Sequence, residues 1–236
     1  MDHPVVDQSI MDELRTLDTP TVCNALEVVV PDRRGFGYTI KPLVCIRPDL
    51  PPMVGYARTA TISAIKPSEK RGKEAREIQD GYYAYMASGP HPTITVIHDL
   101  DGDQQGYGAF WGEVNTNVHK GLGSLGLITD GSVRDLPDVS EGFQMIAGSV
   151  GPSHAFVHPV GFNVDVNIHG MAVSHGDLIH ADQHGAVVIP VDVAGQVRAA
   201  AEAVARKEAV VIKASQQPGF DMDALRKAWG DAAEIH

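Results

Sequence analysis

Apolar positions along the chain follow two spacings, one typical of helices and one typical of strands. Near the N-terminus, DQSIMDELRTL has helical spacing, and DTPTVCNALEVV predicts a second helix with Thr19 as its N-cap and Pro20 at its first position. Apolar alternation predicts a strand over residues 57–65. A long, mostly polar helix is predicted over residues 68–87, with Tyr82 on its apolar face.

The chain between residues 93 and 150 alternates strands with a short helix. TITVIHDL predicts a strand, FWGEVNTNVHKGLG a helix, and LGLITDG and FQMIAGSVG two further strands. A helix between two strands favours their parallel pairing. LGLITDG runs into DGSVRDLPDV, which predicts a turn at Asp130 and Gly131 and then sets Arg134 beside Asp135.

The C-terminal part begins with short apolar runs separated by turn residues and ends in a strong helical pattern. Together the patterns predict one compact α/β sandwich over residues 1–190, with residues 191–236 as a C-terminal helical extension of the same domain. The helix predicted over residues 192–214 carries alanine and valine over much of its circumference, so it needs burial on more than one side. We therefore expect a homo-oligomer with this extension at a subunit interface.

Composition and charge narrow the class of protein. A net charge of −11 disfavours a large phosphate-contacting surface, so we expect no nucleic-acid partner. Apolar runs are too short for a membrane span and the first residues lack a basic, apolar signal region, so we expect a cytoplasmic protein without a membrane partner. The two cysteines, Cys23 and Cys45, are then expected to be thiols.

Arg134 and Asp135 are the first candidates for chemistry. A guanidinium offers a planar fork of donors to a carboxylate or an enolate oxygen. A carboxylate holds a hard cation such as Mg²⁺ in a shell filled mostly by water. The alternative is a structural salt bridge or a solvated turn, because charged residues are common in turns.

The segment AFWGEVNT offers the second half of such a site. Gly112 lets the backbone approach a ligand closely, and the amides of Glu113, Val114 and Asn115 lie at or near the start of a helix, where the dipole favours an anion. The alternative is that Gly112 is only a turn residue and Trp111 a core aromatic. Ligand sites in such sheets form beyond the carboxyl ends of strands, so this segment and the charged turn are predicted to share one cleft.

Six of the eleven histidines fall between His154 and His184. His154 and His158 lie four residues apart in strand-and-turn sequence, where no cysteine or tight ligand pattern joins them, so a zinc site is not favoured. We interpret these histidines as solvated or structural, with a role in substrate specificity as the alternative. Asp182 is interpreted as a turn residue, and Glu202 as a solvated helix acid.

With GEVN, DGSVRD and HADQHGAVVIP in view, the chain resembles the RraA-like family from DTPTVCNAL to VVIP, and GYARTAT is a further match. That family includes divalent-metal-dependent aldolases acting on 4-hydroxy-4-methyl-2-oxoglutarate and 4-carboxy-4-hydroxy-2-oxoadipate. It also includes non-catalytic regulators that bind ribonuclease E. The resemblance implies a swivelling β/β/α-like fold and an assembly of trimers or paired trimers.

The resemblance also implies a metal site. Asp135 would anchor a divalent ion, Mg²⁺ or Mn²⁺, and Glu113 would contact its water shell. In the family an acid from the neighbouring subunit's C-terminal helix contributes, and Glu208 is the nearest match in this sequence.

The substrate implied by the resemblance is a small 2-oxo acid. Arg134 would bind the keto or enolate oxygen of its pyruvate unit, and the amides of Val114 and Asn115, next to Gly112, would bind its carboxylate. The implied function is an aldolase that cleaves a 4-hydroxy-2-oxo acid into pyruvate and a second carbonyl product, with oxaloacetate decarboxylation as a side activity. The alternatives are a non-catalytic regulatory or binding protein, and a different lyase or hydratase that acts on a 2-oxo acid.

Overall fold

The computed structural model describes residues 5–235, which form six α-helices and ten strands. The helices are α1 (Gln8–Leu14), α2 (Thr19–Val29), α3 (Gly72–Met86), α4 (Glu113–Gly121), α5 (Val197–Ser215) and α6 (Met222–Ala233). The strands are β1 (Val44–Cys45), β2 (Met53–Ser63), β3 (Thr93–Asp99), β4 (Ser124–Val133), β5 (Gln144–Val150), β6 (His158–Phe162), β7 (Val166–Ile168), β8 (Met171–Val173), β9 (Leu178–Asp182) and β10 (Gly185–Ile189).

One large sheet organises the molecule and curls into a nearly closed barrel. Its strand order is β1-β5-β4-β3-β2-β9-β10, and β6 pairs with the second half of β2. The central strands β2, β3, β4 and β5 run parallel, whereas β1, β6, β9 and β10 pair antiparallel with their neighbours. The β7–β8 hairpin closes a core of buried aliphatic side chains against this sheet. The predicted α/β class with C-terminal helices is therefore confirmed.

Parallel pairing of the strands on either side of α4 is also confirmed. Strands β4 and β5 are parallel too, although only a short 3₁₀ turn at Leu136–Asp138 lies in the connection between them. The carboxyl ends of three neighbouring strands therefore meet at one edge of the sheet, where β4 delivers Arg134 and Asp135.

The predicted turn at Asp130 and Gly131 is wrong, because β4 continues to Val133. Asp130 is buried at 4% exposure, and its carboxylate accepts hydrogen bonds from the backbone N–H of Asp99 at 2.8 Å and from the side chain of Gln105 at 2.9 Å. The ring of His98 is 2.6 Å from the same carboxylate. These partners satisfy the charge, so the strand continues through an acidic residue.

The start of α2 also differs from the prediction. Its N-cap is Asp18, whose side chain accepts from the backbone N–H of Thr21 at 2.8 Å, while Thr19 is the first helical residue. The N–H of Thr19 donates to Asp182 at 2.8 Å across the core. Asp182 is buried and is more than a turn residue: burial raises the pKa of its carboxyl, but hydrogen bonds from the N–H groups of His184 and Thr19 outweigh burial and lower it. This carboxylate joins α2 to the sheet.

The strand predicted over residues 57–65 is β2, which extends from Met53 to Ser63 and is buried along nearly its whole length. It contains a fully buried arginine, Arg58, in the GYARTAT segment. The Arg58 guanidinium donates four hydrogen bonds, to the carbonyl oxygens of Ala57, Ser88 and Pro90. This arginine therefore fixes the chain that leads from α3 into β3.

The C-terminal helices pack on the α1–α2 side of the sheet. Val197, Ala200 and Ala201 of α5 are buried in the same core cluster as α1 and α2, whereas Ile212 of α5 and Trp229 of α6 are more than half exposed. Both cysteines are free thiols, as predicted. Within residues 5–235, none of the helices is both long and apolar enough to cross a membrane.

Candidate active site

The site begins where two chain segments run side by side beyond the sheet. Trp111 and Val133 form a parallel bridge, and the N–H of Arg134 donates to the carbonyl of Trp111 at 2.9 Å. This contact places the residue pair after β4 next to the residues that begin α4. The two segments that are predicted to share one cleft are therefore adjacent in the fold.

Arg134 and Asp135 are neither buried nor fully solvated. Their side chains are 37% and 34% exposed, and Arg134 Nε lies 3.7 Å from Asp135 Oδ2. Asp135 has left-handed backbone angles, with φ 54° and ψ 39°, which aspartate adopts more readily than most non-glycine residues. A half-buried ion pair is unlike a solvated turn, in which both charges would face water.

Gly112 is needed at its position because of Asp135. A Cβ atom at Gly112 would overlap the Oδ2 oxygen of Asp135 and lie 3.2 Å from Cγ of Arg134. Without it, the N–H of Glu113 approaches Asp135 Oδ2 at 3.3 Å. Gly112 is thus more than a turn residue, and it lets the first turn of α4 contact the charged pair.

The first turn of α4 presents backbone amides toward the same place. The N–H groups of Glu113, Val114 and Asn115 precede the first intrahelical bond, which Thr116 donates to Gly112 at 3.0 Å. Groups at this position, together with the helix dipole, favour an anion. The Glu113 side chain is exposed, and its backbone N–H is the group that contacts Asp135.

A cavity of about 510 Å³ extends from this junction to α3 and to the loop before β6. Its wall includes site residues predicted from the sequence and others that the sequence did not indicate: Ser68, Lys70, Ala75, Ile78, Gln79, Tyr82, Tyr83, Ala109, Phe110, Val114, Asn115, Arg134, His154, Val157, His158 and Pro159. Lys70 forms an ion pair with Glu74 one helical turn further on. Away from Arg134 the wall combines aliphatic and aromatic side chains with polar ones, among them Gln79, His154 and His158.

Two of the clustered histidines line this cavity. The Nδ1 atoms of His154 and His158 lie 2.7 and 2.8 Å from the carbonyl oxygens of Ala155 and Phe156, so each neutral ring carries its proton on Nδ1 and keeps Nε2 as an acceptor. This placement supports the specificity role that we gave as the alternative. By contrast, His180 is buried and its ring contacts the carbonyls that end α1.

Two buried ring side chains lie next to the residues of the site. Tyr82 and His119 have no exposed surface, and the Tyr82 hydroxyl lies 2.8 Å from Nε2 of His119. Burial lowers the pKa of His119 to about 4, although a hydrogen bond to the carbonyl of Asn115 acts in the opposite direction. Burial also raises the pKa of Tyr82 well above its ordinary value. Both groups are therefore uncharged at neutral pH.

Two acidic residues of α5, Glu202 and Glu208, do not line the cavity of this chain. Glu202 is exposed and pairs with Arg198 at 2.7 Å, as expected of a solvated acid. Glu208 is exposed on α5 and is not among the residues that line the cavity of this chain. Its predicted role depends on a neighbouring subunit and stays a prediction.

Comparison with known families decides the identity of the fold. A family model described as RraA-like, Aldolase/RraA, matches residues 12–188. The chain belongs to the RraA-like family. This confirms the membership that GEVN, DGSVRD and HADQHGAVVIP predicted, at the level of the family and not of one aldolase type.

Solved structures with an RraA-like fold agree with this assignment. An uncharacterized protein from Pseudomonas syringae pv. tomato str. DC3000 has a TM-score of 0.70 and 23% identity, covering 98% of this chain and 97% of that chain. Streptomyces coelicolor RraAS2, an unusual member of the RNase ES inhibitor RraA family, has a TM-score of 0.66 and 23% identity, covering 89% and 97%. RraA from Thermus thermophilis, an RNA-processing inhibitor, has a TM-score of 0.50 and 16% identity, covering 70% and 90%. A search of curated proteins gives no match.

The donor set at the junction fits one kind of metal. Among residues 5–235, histidine, cysteine and acidic side chains form no group of three or more that could hold an ion. Asp135 lies next to Arg134, which lines the cavity, and accepts from the backbone N–H of Glu113, a second acidic residue. Mg²⁺ is commonly held by one or two carboxylates while it keeps several waters. The residues of one RraA-like chain therefore fit a water-rich Mg²⁺ or Mn²⁺ site and not a zinc site with four protein ligands.

Proposed function

We propose that the protein is a divalent-metal-dependent aldolase that cleaves a 4-hydroxy-2-oxo acid to pyruvate and a second carbonyl product. The observation that carries this proposal is the junction at which Arg134 and Asp135 lie against the first turn of α4, beside a cavity of about 510 Å³. A guanidinium fork, the amides of a helix N-terminus and a carboxylate are the groups needed to bind and polarise a 2-oxo acid.

Each group has a role in the proposed cleavage. The 4-hydroxyl group gives its proton to a water molecule, the C3–C4 bond breaks to leave a carbonyl at C4, and the electron pair of that bond moves toward the oxygen at C2. C3 then takes a proton from water, so that no proton is gained or lost overall. Arg134 would donate to that oxygen as its negative charge develops. The N–H groups of Val114 and Asn115, beside Gly112, would hold the C1 carboxylate and so orient the bond that breaks.

The acids would hold the ion. Asp135 would bind Mg²⁺ or Mn²⁺ directly, Glu113 would contact its waters, and Glu208 from a neighbouring subunit would add a further carboxylate. When bound, such an ion supplies positive charge that stabilises the developing negative charge of the substrate. Oxaloacetate decarboxylation passes through the same pyruvate enolate, so it is the expected side activity.

A second candidate is a non-catalytic regulator. It is favoured by the likeness of the fold to two proteins described as inhibitors, one of the RNase ES type and one of RNA processing. A different lyase or hydratase acting on a 2-oxo acid is the third candidate. The half-buried Arg134 and Asp135 beside a cavity support an enzyme, because a regulator that binds through its outer surface has no need of them.

Two substitutions test the aldolase. Asp135→Asn keeps the shape of the side chain but removes the charge that would hold the cation, so metal-dependent pyruvate formation should be abolished. Arg134→Lys replaces a planar fork by a point charge and should reduce turnover roughly a hundredfold or more. Because neither side chain belongs to the core, thermal stability should change by no more than about half a kcal/mol in either variant.

The assay measures pyruvate release from a panel of 4-hydroxy-2-oxo acids and from oxaloacetate, with Mg²⁺ or Mn²⁺ and then with EDTA. Reactions without protein are required, because these ions decarboxylate oxaloacetate on their own. Parent-level turnover in Asp135→Asn would remove the metal-anchor role and most of the case for an aldolase. Absence of metal-dependent pyruvate release by the parent protein would favour the regulator.

A further inference from the structure

Asn115, in the first turn of α4, is held at three points by residues outside that turn. The Tyr83 hydroxyl donates to its side-chain oxygen Oδ1 at 3.0 Å, and its side-chain Nδ2 donates to the carbonyl of Phe110. Its own carbonyl accepts from Nδ1 of His119 at 2.7 Å. The side chain is therefore occupied by protein contacts, and the backbone N–H is the group that Asn115 offers to a ligand.

A second tyrosine of α3, Tyr82, is linked to Asn115 through the ring of His119. A carbonyl oxygen only accepts hydrogen bonds, so Nδ1 of His119 carries the proton, and Nε2 of the neutral ring accepts from the Tyr82 hydroxyl at 2.8 Å. Tyr82 and His119 are both fully buried. Water therefore has no access to replace either bond, and the geometry of the chain Tyr82–His119–Asn115 is fixed by packing.

The same aromatic layer reaches the charged pair. The rings of Trp111 and His119 are 4.4 Å apart between centroids, and the Trp111 carbonyl accepts from the N–H of Arg134 at 2.9 Å. A shift of α4 relative to α3 would thus move the amide of Asn115 and the backbone of Arg134 together. Interactions that orient a substrate lose much of their value when they are displaced by an ångström.

We infer that Tyr82 and Tyr83 are positioning residues, which hold the first turn of α4 so that its amides meet the substrate carboxylate at a fixed distance from Arg134. This inference rests on the proposed function, because it takes the carboxylate of the 2-oxo acid as the ligand of that turn. Tyr82 and Tyr83 both line the cavity, but only Tyr83 of the two is partly exposed, so contact with the substrate could explain an effect of Tyr83. The Tyr82 hydroxyl is buried against the His119 ring, so its removal acts on the site through His119.

The chain provides a matched control on the same helix. Tyr85 is also on α3, and its hydroxyl contacts the N–H of Thr59 at 3.0 Å, the hydroxyl of Thr59 at 3.4 Å and Nδ1 of His175 at 2.8 Å. None of these contacts leads to α4. Tyr85→Phe therefore removes a comparable hydroxyl group from α3 without releasing Asn115.

The test compares Tyr82→Phe, Tyr83→Phe and Tyr85→Phe with the parent protein. Pyruvate binding is measured by ligand-observed NMR titration, and Mn²⁺ binding by calorimetry. KM and kcat are measured with oxaloacetate as the substrate, and Tm is measured by thermal melting. Tyr82→Phe and Tyr83→Phe should each raise the Kd of pyruvate and the KM of oxaloacetate about three- to tenfold, with kcat and Mn²⁺ affinity changed less than about twofold. Tyr85→Phe should lower Tm but leave pyruvate binding within about twofold of the parent.

A double variant separates action through Asn115 from direct contact. If Tyr83 acts through the Asn115 side chain, Tyr83→Phe should add little to the loss already caused by Asn115→Ala. Additive losses would mean that Tyr83 touches the substrate itself.

Three outcomes would overturn parts of the argument. Unchanged pyruvate binding in Tyr82→Phe would overturn the positioning role while leaving the aldolase intact. Equal weakening in Tyr85→Phe would also overturn it, because the effect would then be a general loosening of α3. A parent protein that neither binds pyruvate nor releases it from any substrate would overturn the proposed function, and this inference with it.

Discussion

Protonation of His119 should destabilise the fold at mildly acidic pH. The ring is fully buried between Trp111 and Tyr82, and burial lowers its pKa from 6.5 to about 4. The unfolded chain binds a proton at His119 as pH falls through 6.5, whereas the folded protein does not until about pH 4. The unfolded state therefore holds more protons in this window, and the free energy of unfolding falls as pH falls through it.

The size of the effect follows from the two pKa values. The difference between 6.5 and about 4 corresponds to roughly 3 kcal/mol of lost stability once pH is below both. Between about pH 7 and pH 5 only part of that window is crossed, and His119 alone should remove about 2 kcal/mol. A loss of this size is a large fraction of the stability of an ordinary domain.

Urea unfolding of the parent and of His119→Gln at about pH 7 and pH 5, at one protein concentration, measures this term. The parent should lose about 2 kcal/mol more than His119→Gln over that interval, and contributions from other groups cancel in the difference. His98 gives a control of opposite sign. Its hydrogen bond to Asp130 raises the pKa of His98 although burial lowers it, so its contribution is fully present below 6.5 and is lost as pH rises through the folded pKa. His98→Gln should therefore make the protein more sensitive to acid. Equal losses in the parent and His119→Gln, within about half a kcal/mol, would refute the argument from burial.

Two further predictions concern the site and the assembly. Gly112→Ala should reduce pyruvate formation at least about tenfold, because the new Cβ overlaps Asp135. Gly121→Ala is the control: it lies at the other end of α4, where a Cβ would meet nothing within 4 Å, and its activity should stay within about twofold of the parent. Equal activity of the two variants would contradict the close approach of Gly112 to Asp135. Equilibrium sedimentation at micromolar concentration should find a trimer or hexamer, because Ile212, Phe220 and Trp229 expose apolar side chains on the C-terminal segment, and a monomer would rule this out.

Local patterns predicted the elements of this fold well because each is decided within a few residues. The segment FWGEVNTNVHKGLG predicts α4, and the strand–helix–strand pattern around it predicts the parallel pair β3–β4. Local reasoning failed where a distant residue decides the outcome. Asp130 was expected in a turn, but His98 and Gln105 satisfy its charge inside a strand. Thr19 was expected as a cap, but Asp18 is the residue whose side chain accepts from the first turn.

The residues of the candidate site also fall into those that the sequence can predict and those that it cannot. Gly112, Arg134 and Asp135 could be found from the sequence because they are charged or glycine residues at strand and helix ends. The supporting tyrosines could not, because an aromatic residue on the apolar face of α3 has the same pattern whether its hydroxyl meets an aliphatic core or a buried histidine. The signal that was available is the hydroxyl itself: Tyr82 lies on an apolar helix face, and a buried hydroxyl needs a partner.

Close contacts at the junction fit a working site better than a solvated turn. Asp135 has a left-handed backbone, which aspartate adopts more readily than most residues, and its carboxylate lies directly beside Gly112. Gly112 has no room for a Cβ, and the first turn of α4 brings its amides beside a carboxylate and a guanidinium. Removal of the Asp135 carboxylate would relieve the crowding at Gly112. The crowded atoms are those that could meet a ligand, and this close approach of a carboxylate, a guanidinium and backbone amides supports chemistry at this position.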